Sequence, residues 1–142
     1  VGLDQQAGPG VDVVCDLTGD CAELGFEKFG VILCCSVLEH CEQPWVMADR
    51  LLSRLLPGGL LYITVPWIWP YHAYPKDYFR FSVDGIKLLF PGITWKRVVY
   101  GTQNEGEFFP ERFNFKHLPW RTAETGRVLI VTQMVYMIGW KA

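Results

Sequence analysis

Three polar residues stand directly after apolar runs: Asp4 after Val1–Leu3, Asp16 after Val11–Cys15, and Ser36 after Val31–Cys35. In open α/β sheets, ligands bind beyond the carboxyl ends of the strands, so these are the positions where binding groups are expected. A carboxylate offers two acceptor oxygens and can take both hydroxyls of a ribose, a role suited to Asp4. Asp16 can accept from an exocyclic amine while Leu17 packs against the ring. A second set of polar side chains (His72, Asp77, Tyr78 and Arg80) lies among aromatics in the segment 67–81. It can contact a ligand, or it can fasten its own loop through an Asp–Arg pair and a Tyr hydrogen bond. Glu39 and His40 suit the first turn of a helix, where the dipole favours an acid, and His40 is also a candidate base.

The elements that must position these groups follow from pattern. Val11–Cys15 is a short Val-rich strand, and Gly30–Cys35 is almost continuously apolar, as a strand buried on both faces should be. Pro44 suits the first position of a helix. Trp45, Ala48, Leu51, Leu52 and Leu55 then recur at spacings of three and four, which predicts a helix over Pro44–Leu56. Pro57-Gly58-Gly59 should stop that helix, and Leu60–Val65 is a further buried strand ended by Pro66. Strand, helix and strand within about 35 residues make a βαβ unit, with its two strands parallel. Ser82 can cap a helix over Val83–Phe90. Thr94–Tyr100 and Val128–Ile138 read as strands, with irregular chain between them. The expected architecture is one α/β domain over residues 1–142, a mostly parallel sheet with helices on its faces.

The chain has 142 residues, half of them hydrophobic, which suffices for one core. Thirteen basic against fifteen acidic side chains leave a net charge of −2, which argues against a nucleic acid or an anionic membrane as the main partner. No apolar stretch reaches the ~20 residues of a membrane span. The five cysteines include no CxxC pair, so reduced, mostly buried thiols and a cytoplasmic location are expected, with no residue assigned to a metal.

Four segments, taken in order, resemble a known family. They are Gly2-Leu3-Asp4, Val11–Leu17, Phe29–His40 with its Ser-Val-Leu-Glu-His ending, and the Leu56-Pro57-Gly58-Gly59 turn before a strand. The chain resembles a class I S-adenosylmethionine-dependent methyltransferase, most nearly the small-molecule type called methyltransferase type 11. The Trp69–Phe81 segment recurs in a subset of that family.

The resemblance implies a Rossmann-like sheet with strand order 3-2-1-4-5-7-6, S-adenosylmethionine as cofactor and a small molecule as methyl acceptor. It implies that Asp4 holds the ribose, that Asp16 and Leu17 contact the adenine, and that Ser36 and Val37 line the methionine region. Glu39 and His40 would sit at the mouth, and the loop bearing Trp67, His72, Tyr78 and Arg80 would cover the acceptor pocket. Trp67, Trp69, Tyr71 and Tyr74 could face a sulfonium through cation–π attraction, or simply pack the loop. No catalytic residue is assigned. The family's glycine-rich first loop, and the central strand carrying it, have no counterpart here. Either the chain is a fragment of a longer product, or a partner supplies the strand. A sheet without its central strand exposes two unpaired edges. That predicts a homodimer, strand exchange between copies, or direct re-pairing of Val11–Cys15 with Val31–Cys35. The rivals are a non-catalytic α/β module acting through protein contacts and a nicotinamide-dependent enzyme, the latter disfavoured by the Ser-Val-Leu-Glu-His and Leu-Pro-Gly-Gly segments.

Overall fold

The computed structural model describes residues 1–19, 21–25, 27–102, 107–108 and 133–142. Two short parallel strands, β1 (Leu3–Asp4) and β2 (Val13–Val14), form a sheet of their own. The main sheet contains β3 (Phe29–Cys35), β4 (Leu55–Ile68), β5 (Ile93–Thr102), β6 (Glu107–Phe108) and β7 (Gln133–Lys141), in the order β3-β4-β7-β5-β6. The β3–β4 pair is parallel, as expected, with Ile32 opposite Leu61 and Cys34 opposite Ile63. Every other pairing in the main sheet is antiparallel. The sheet is therefore mixed rather than mostly parallel. Among the described residues β1 and β2 stand apart from the five-stranded sheet, so the single continuous order implied by the resemblance is not formed.

Helix α1 spans Pro44–Arg54, with Pro44 at its start as expected. Its buried face carries Met47, Ala48 and Leu51, whereas Trp45 is 57% exposed and does not belong to the stripe. Leu55 is fully buried, yet it opens β4 opposite Phe29 instead of closing the helix. The register between β3 and β4 shifts just after this pair, and that absorbs the Pro57-Gly58 segment. The Lys141 ammonium donates to the carbonyls of Leu52 and Leu55 at 2.7 and 2.9 Å, satisfying acceptors that the end of α1 leaves open. At the other end of β4, Pro66 does not end the strand but lies opposite Met134 on β7.

Helix α2 spans Val83–Leu89 and is capped as expected, the Ser82 hydroxyl accepting from the Gly85 amide at 3.0 Å. Such a cap contributes about 1 kcal/mol. Leu61, Ile63 and Val65 of β4, Val135 and Met137 of β7, and Ile86 and Phe90 around α2 join α1 in one buried cluster. On β7 the intervening Met134, Tyr136 and Ile138 are only half-buried. Among the described residues the helices thus cover one face of the sheet, not both.

Two further expectations change. Val13 and Val14 pair with β1 and not with β3, so the direct re-pairing across the gap does not form. Cys15 and Cys21 are joined as a disulfide with a Cα–Cα distance of 5.5 Å, which corrects the expectation that all five thiols are reduced. Cys34 and Cys41 are free and buried, and Cys35 is free and exposed. The expected strand segment 128–132 lies outside the described residues. Among the described residues no helix is long and apolar enough to cross a membrane.

Candidate functional site

Strand β3 is followed by Ser36, whose φ of 52° lies in the left-handed region that a non-glycine residue rarely adopts. Its amide donates to the Thr64 carbonyl of β4 at 2.9 Å, which holds the chain in this sharp turn. The turn leads into a one-turn 3-10 helix, Leu38–His40, with Leu38 fully buried beneath it. Beyond the carboxyl ends of β3 and β4 lies a cavity of about 460 Å3, lined by Ser36, Glu39, His40, Thr64, Pro66, Trp69, His72, Met134 and Tyr136. It occupies the place where an open α/β sheet binds its ligand.

The loop after β4 forms one wall. Glu39 anchors it through its backbone, its carbonyl accepting from the Tyr78 and Phe79 amides at 2.8 and 3.3 Å. Asp77 anchors it from within. The carboxylate is 1% exposed and takes the Arg80 guanidinium in a fork, Oδ2 lying 2.6 Å from Nη2, and also accepts from the His72 amide at 2.8 Å. The hydrogen bonds from Arg80 hold the Asp77 carboxyl well below the usual carboxylate range. Arg80 also donates to the carbonyls of Trp69, Phe79 and Pro70. With the two bonds to Asp77, all five guanidinium N–H groups are engaged. Arg80 is therefore a positioning residue with no donor left for a substrate.

Of the residues singled out in the sequence, Ser36, Glu39, His40, Trp69 and His72 meet in this cavity. Trp67 and Tyr78 do not line it. Trp67 packs edge-on against Tyr100 with centroids 5.7 Å apart, and Tyr78 is 39% exposed. Leu17 and Val37 line a separate apolar groove of about 390 Å3, with Val1, Leu3, Val31 and Leu33 among its other walls. That groove lies between the two-stranded sheet and β3. The two expected nucleoside ligands are occupied locally. Asp4 accepts from the Gln6 amide at 2.9 Å, and Asp16 accepts from the Thr18 amide and hydroxyl at 2.8 and 2.7 Å. Those bonds from Thr18 lower the Asp16 pKa. Both carboxylates are exposed.

Glu39, expected at the mouth, lines this cavity beside His40 with its side chain 1% exposed, and no other described residue gives either carboxylate oxygen a hydrogen bond. Burial pushes its pKa up, against the pull of its own backbone N–H and of His40, His72 and Arg80. The signal available in the sequence was an acid directly after Val37-Leu38, where the apolar run of β3 continues.

The free thiols differ in the same way. Burial pushes the Cys34 thiol up to about 12, so it carries almost no thiolate at neutral pH. Alkylation of the native protein is expected to label Cys35 first and Cys34 only after unfolding, which peptide mass spectrometry would read. Equal labelling rates would contradict the burial of Cys34.

No family model and no curated protein sequence matches this chain. Solved structures do. A protein of Bacillus halodurans C-125 assigned as a methyltransferase superposes with a TM-score of 0.62 at 15% identity, over 91% of this chain and 70% of its own. The chain shares its fold with methyltransferases. TehB from Haemophilus influenzae matches with a TM-score of 0.56 at 16% identity over 92% of this chain. The CurJ carbon methyltransferase gives 0.53 at 20% identity, also over 92%. The chain spans 40% of the length of TehB and 34% of the CurJ protein.

Proposed function

We propose that this chain is a class I methyltransferase domain of the type 11 kind that uses S-adenosylmethionine to methylate a small molecule. The observation that supports this best is the cavity beyond β3 and β4, bounded by Ser36, His40, His72 and Trp69, in a fold shared with methyltransferases. In this reading Asp4 takes the ribose, Asp16 and Leu17 the adenine, and Ser36 and Val37 the methionine end. His40 and His72 face the acceptor. Trp69 borders the acceptor from the loop, and Arg80 fixes that loop.

Methyl transfer from a sulfonium is an in-line displacement. Holding acceptor, methyl and sulfur in line supplies up to ~7–11 kcal/mol without any proton-transfer group. A base is needed only when the acceptor must lose a proton early. The lack of an assigned catalytic residue is consistent with this chemistry.

Calorimetric titration with S-adenosylhomocysteine tests the reading. Saturable heat, weakened by Asp4→Ala, is the expected outcome, and no heat at millimolar ligand would overturn it. Binding of NADH in its place would favour a nicotinamide enzyme. The second reading, a non-catalytic module working through protein contacts, draws support from the apolar groove and the local turns that engage Asp4 and Asp16.

The proposal includes self-association through the outer edge of β3, which has no partner strand among the described residues, by dimerisation or strand exchange. It also includes a cytoplasmic location, which subcellular fractionation tests; recovery outside the soluble cytoplasmic fraction would overturn it.

A further inference from the structure

The Glu39 carboxylate is buried with no donor from any other described residue, and two imidazoles stand beside it. We propose that Glu39, His40 and His72 form a binding site for a first-row divalent transition metal such as zinc. One ligand atom from each residue lies within 4.8 Å of the others. The His40 Nε2 is 3.9 Å from the Glu39 Oε1, and the two imidazole centroids are 4.9 Å apart. Donors around a tetrahedral zinc are separated by about 3.3 Å, given metal–ligand bonds of roughly 2 Å. Small side-chain rotations close the difference.

The hydrogen bonds behind the two imidazoles set them up as ligands. The His40 Nδ1 lies 2.7 Å from the Lys76 carbonyl oxygen. A carbonyl only accepts, so Nδ1 holds a proton, and in the neutral ring the lone pair is then on Nε2. The His72 Nδ1 lies 3.2 Å from the Pro70 carbonyl and 3.3 Å from the Asp77 carboxylate, both acceptors, so Nδ1 carries a proton there as well. Carbonyls and carboxylates of this kind orient most metal-bound histidines and raise their basicity.

Glu39 supplies the independent argument. A carboxylate that is 1% exposed and whose two oxygens receive no hydrogen bond from any other described residue is a costly arrangement in the absence of a cation. Two neutral imidazoles and one carboxylate suit zinc, iron, cobalt or manganese better than calcium or magnesium, which prefer all-oxygen surroundings. The remaining coordination positions would face the cavity between Ser36, Thr64 and Tyr136, open to water or to an oxygen of a bound molecule.

The test titrates the chelator-treated full chain with Co2+, following its visible d–d absorption, and with Zn2+ by calorimetry. One equivalent is expected to bind in the micromolar range or tighter. Glu39→Gln, which keeps the shape and removes the charge, and His72→Gln, at a half-exposed position, are each expected to weaken binding at least 100-fold. Circular dichroism of both apo variants should match that of the parent. Binding unchanged in both variants would overturn the site, as would an intense near-ultraviolet thiolate band in the cobalt complex. So would the absence of any d–d change at millimolar Co2+. None of these readouts involves S-adenosylmethionine, so the metal site and the methyltransferase reading stand or fall separately.

Discussion

Replacing Asp77 with Ala is expected to lower the unfolding free energy by about 3 kcal/mol, because it breaks a buried ion pair from one side. The carboxylate is 1% exposed and takes two guanidinium N–H groups and the His72 amide. Without it, those donors face the loop interior unpaired. The Arg80 side chain is 27% exposed, so water recovers part of the loss, which places the value at the lower end of the range for such breaks. For a chain of this length the midpoint of thermal unfolding should fall on the order of 10 °C. Arg80→Lys should lose less, since it keeps the charge but not the fork. Urea unfolding of the three proteins measures both effects. A change below about 1 kcal/mol in Asp77→Ala would mean that the backbone bonds from Glu39 hold the loop unaided.

Leu33→Lys should weaken self-association at least tenfold. Leu33 is 67% exposed and Val31 57% exposed on β3, whose outer edge has no partner strand among the described residues. Full burial of a leucine stabilises by about 1.5–3 kcal/mol, and each 1.4 kcal/mol is tenfold in the dissociation constant. A lysine at this edge would also set up repulsion between copies, a device natural sheets use against edge pairing. Sedimentation equilibrium across a concentration series reads the result. If the parent chain is monomeric at every concentration, association through β3 is excluded.

The local pattern made some elements readable in advance and left others hidden. Pro44 and the apolar spacing after it located α1, and Ser82 located α2, because a capping hydroxyl and a 3.6-residue period act over one or two turns of chain. Leu55 was assigned to the wrong element. Its side chain is buried in either case, and only pairing with Phe29 decides that it begins β4. The parallel β3–β4 pair followed from the length of the crossover between them. The antiparallel entry of β7 between β4 and β5 did not, because a strand's apolar run is the same in either direction.

The site divides along the same line. Residue type and position after a strand were enough to pick out Ser36, and the polar cluster around His72 and Arg80 was visible as a cluster. Which of its members would spend their donors inside the loop was not visible. The sequence by itself determined the βαβ unit, the two helices and the strand ends that carry polar groups, since these depend on neighbours a few residues apart. Only the tertiary structure decided that Glu39 is buried with His40 and His72 at its side, that Arg80 serves the loop, and that Cys15 meets Cys21. Contacts of that kind depend on how the β4 loop folds back over the end of β3 and how the chain turns after β2, and no local periodicity encodes either path.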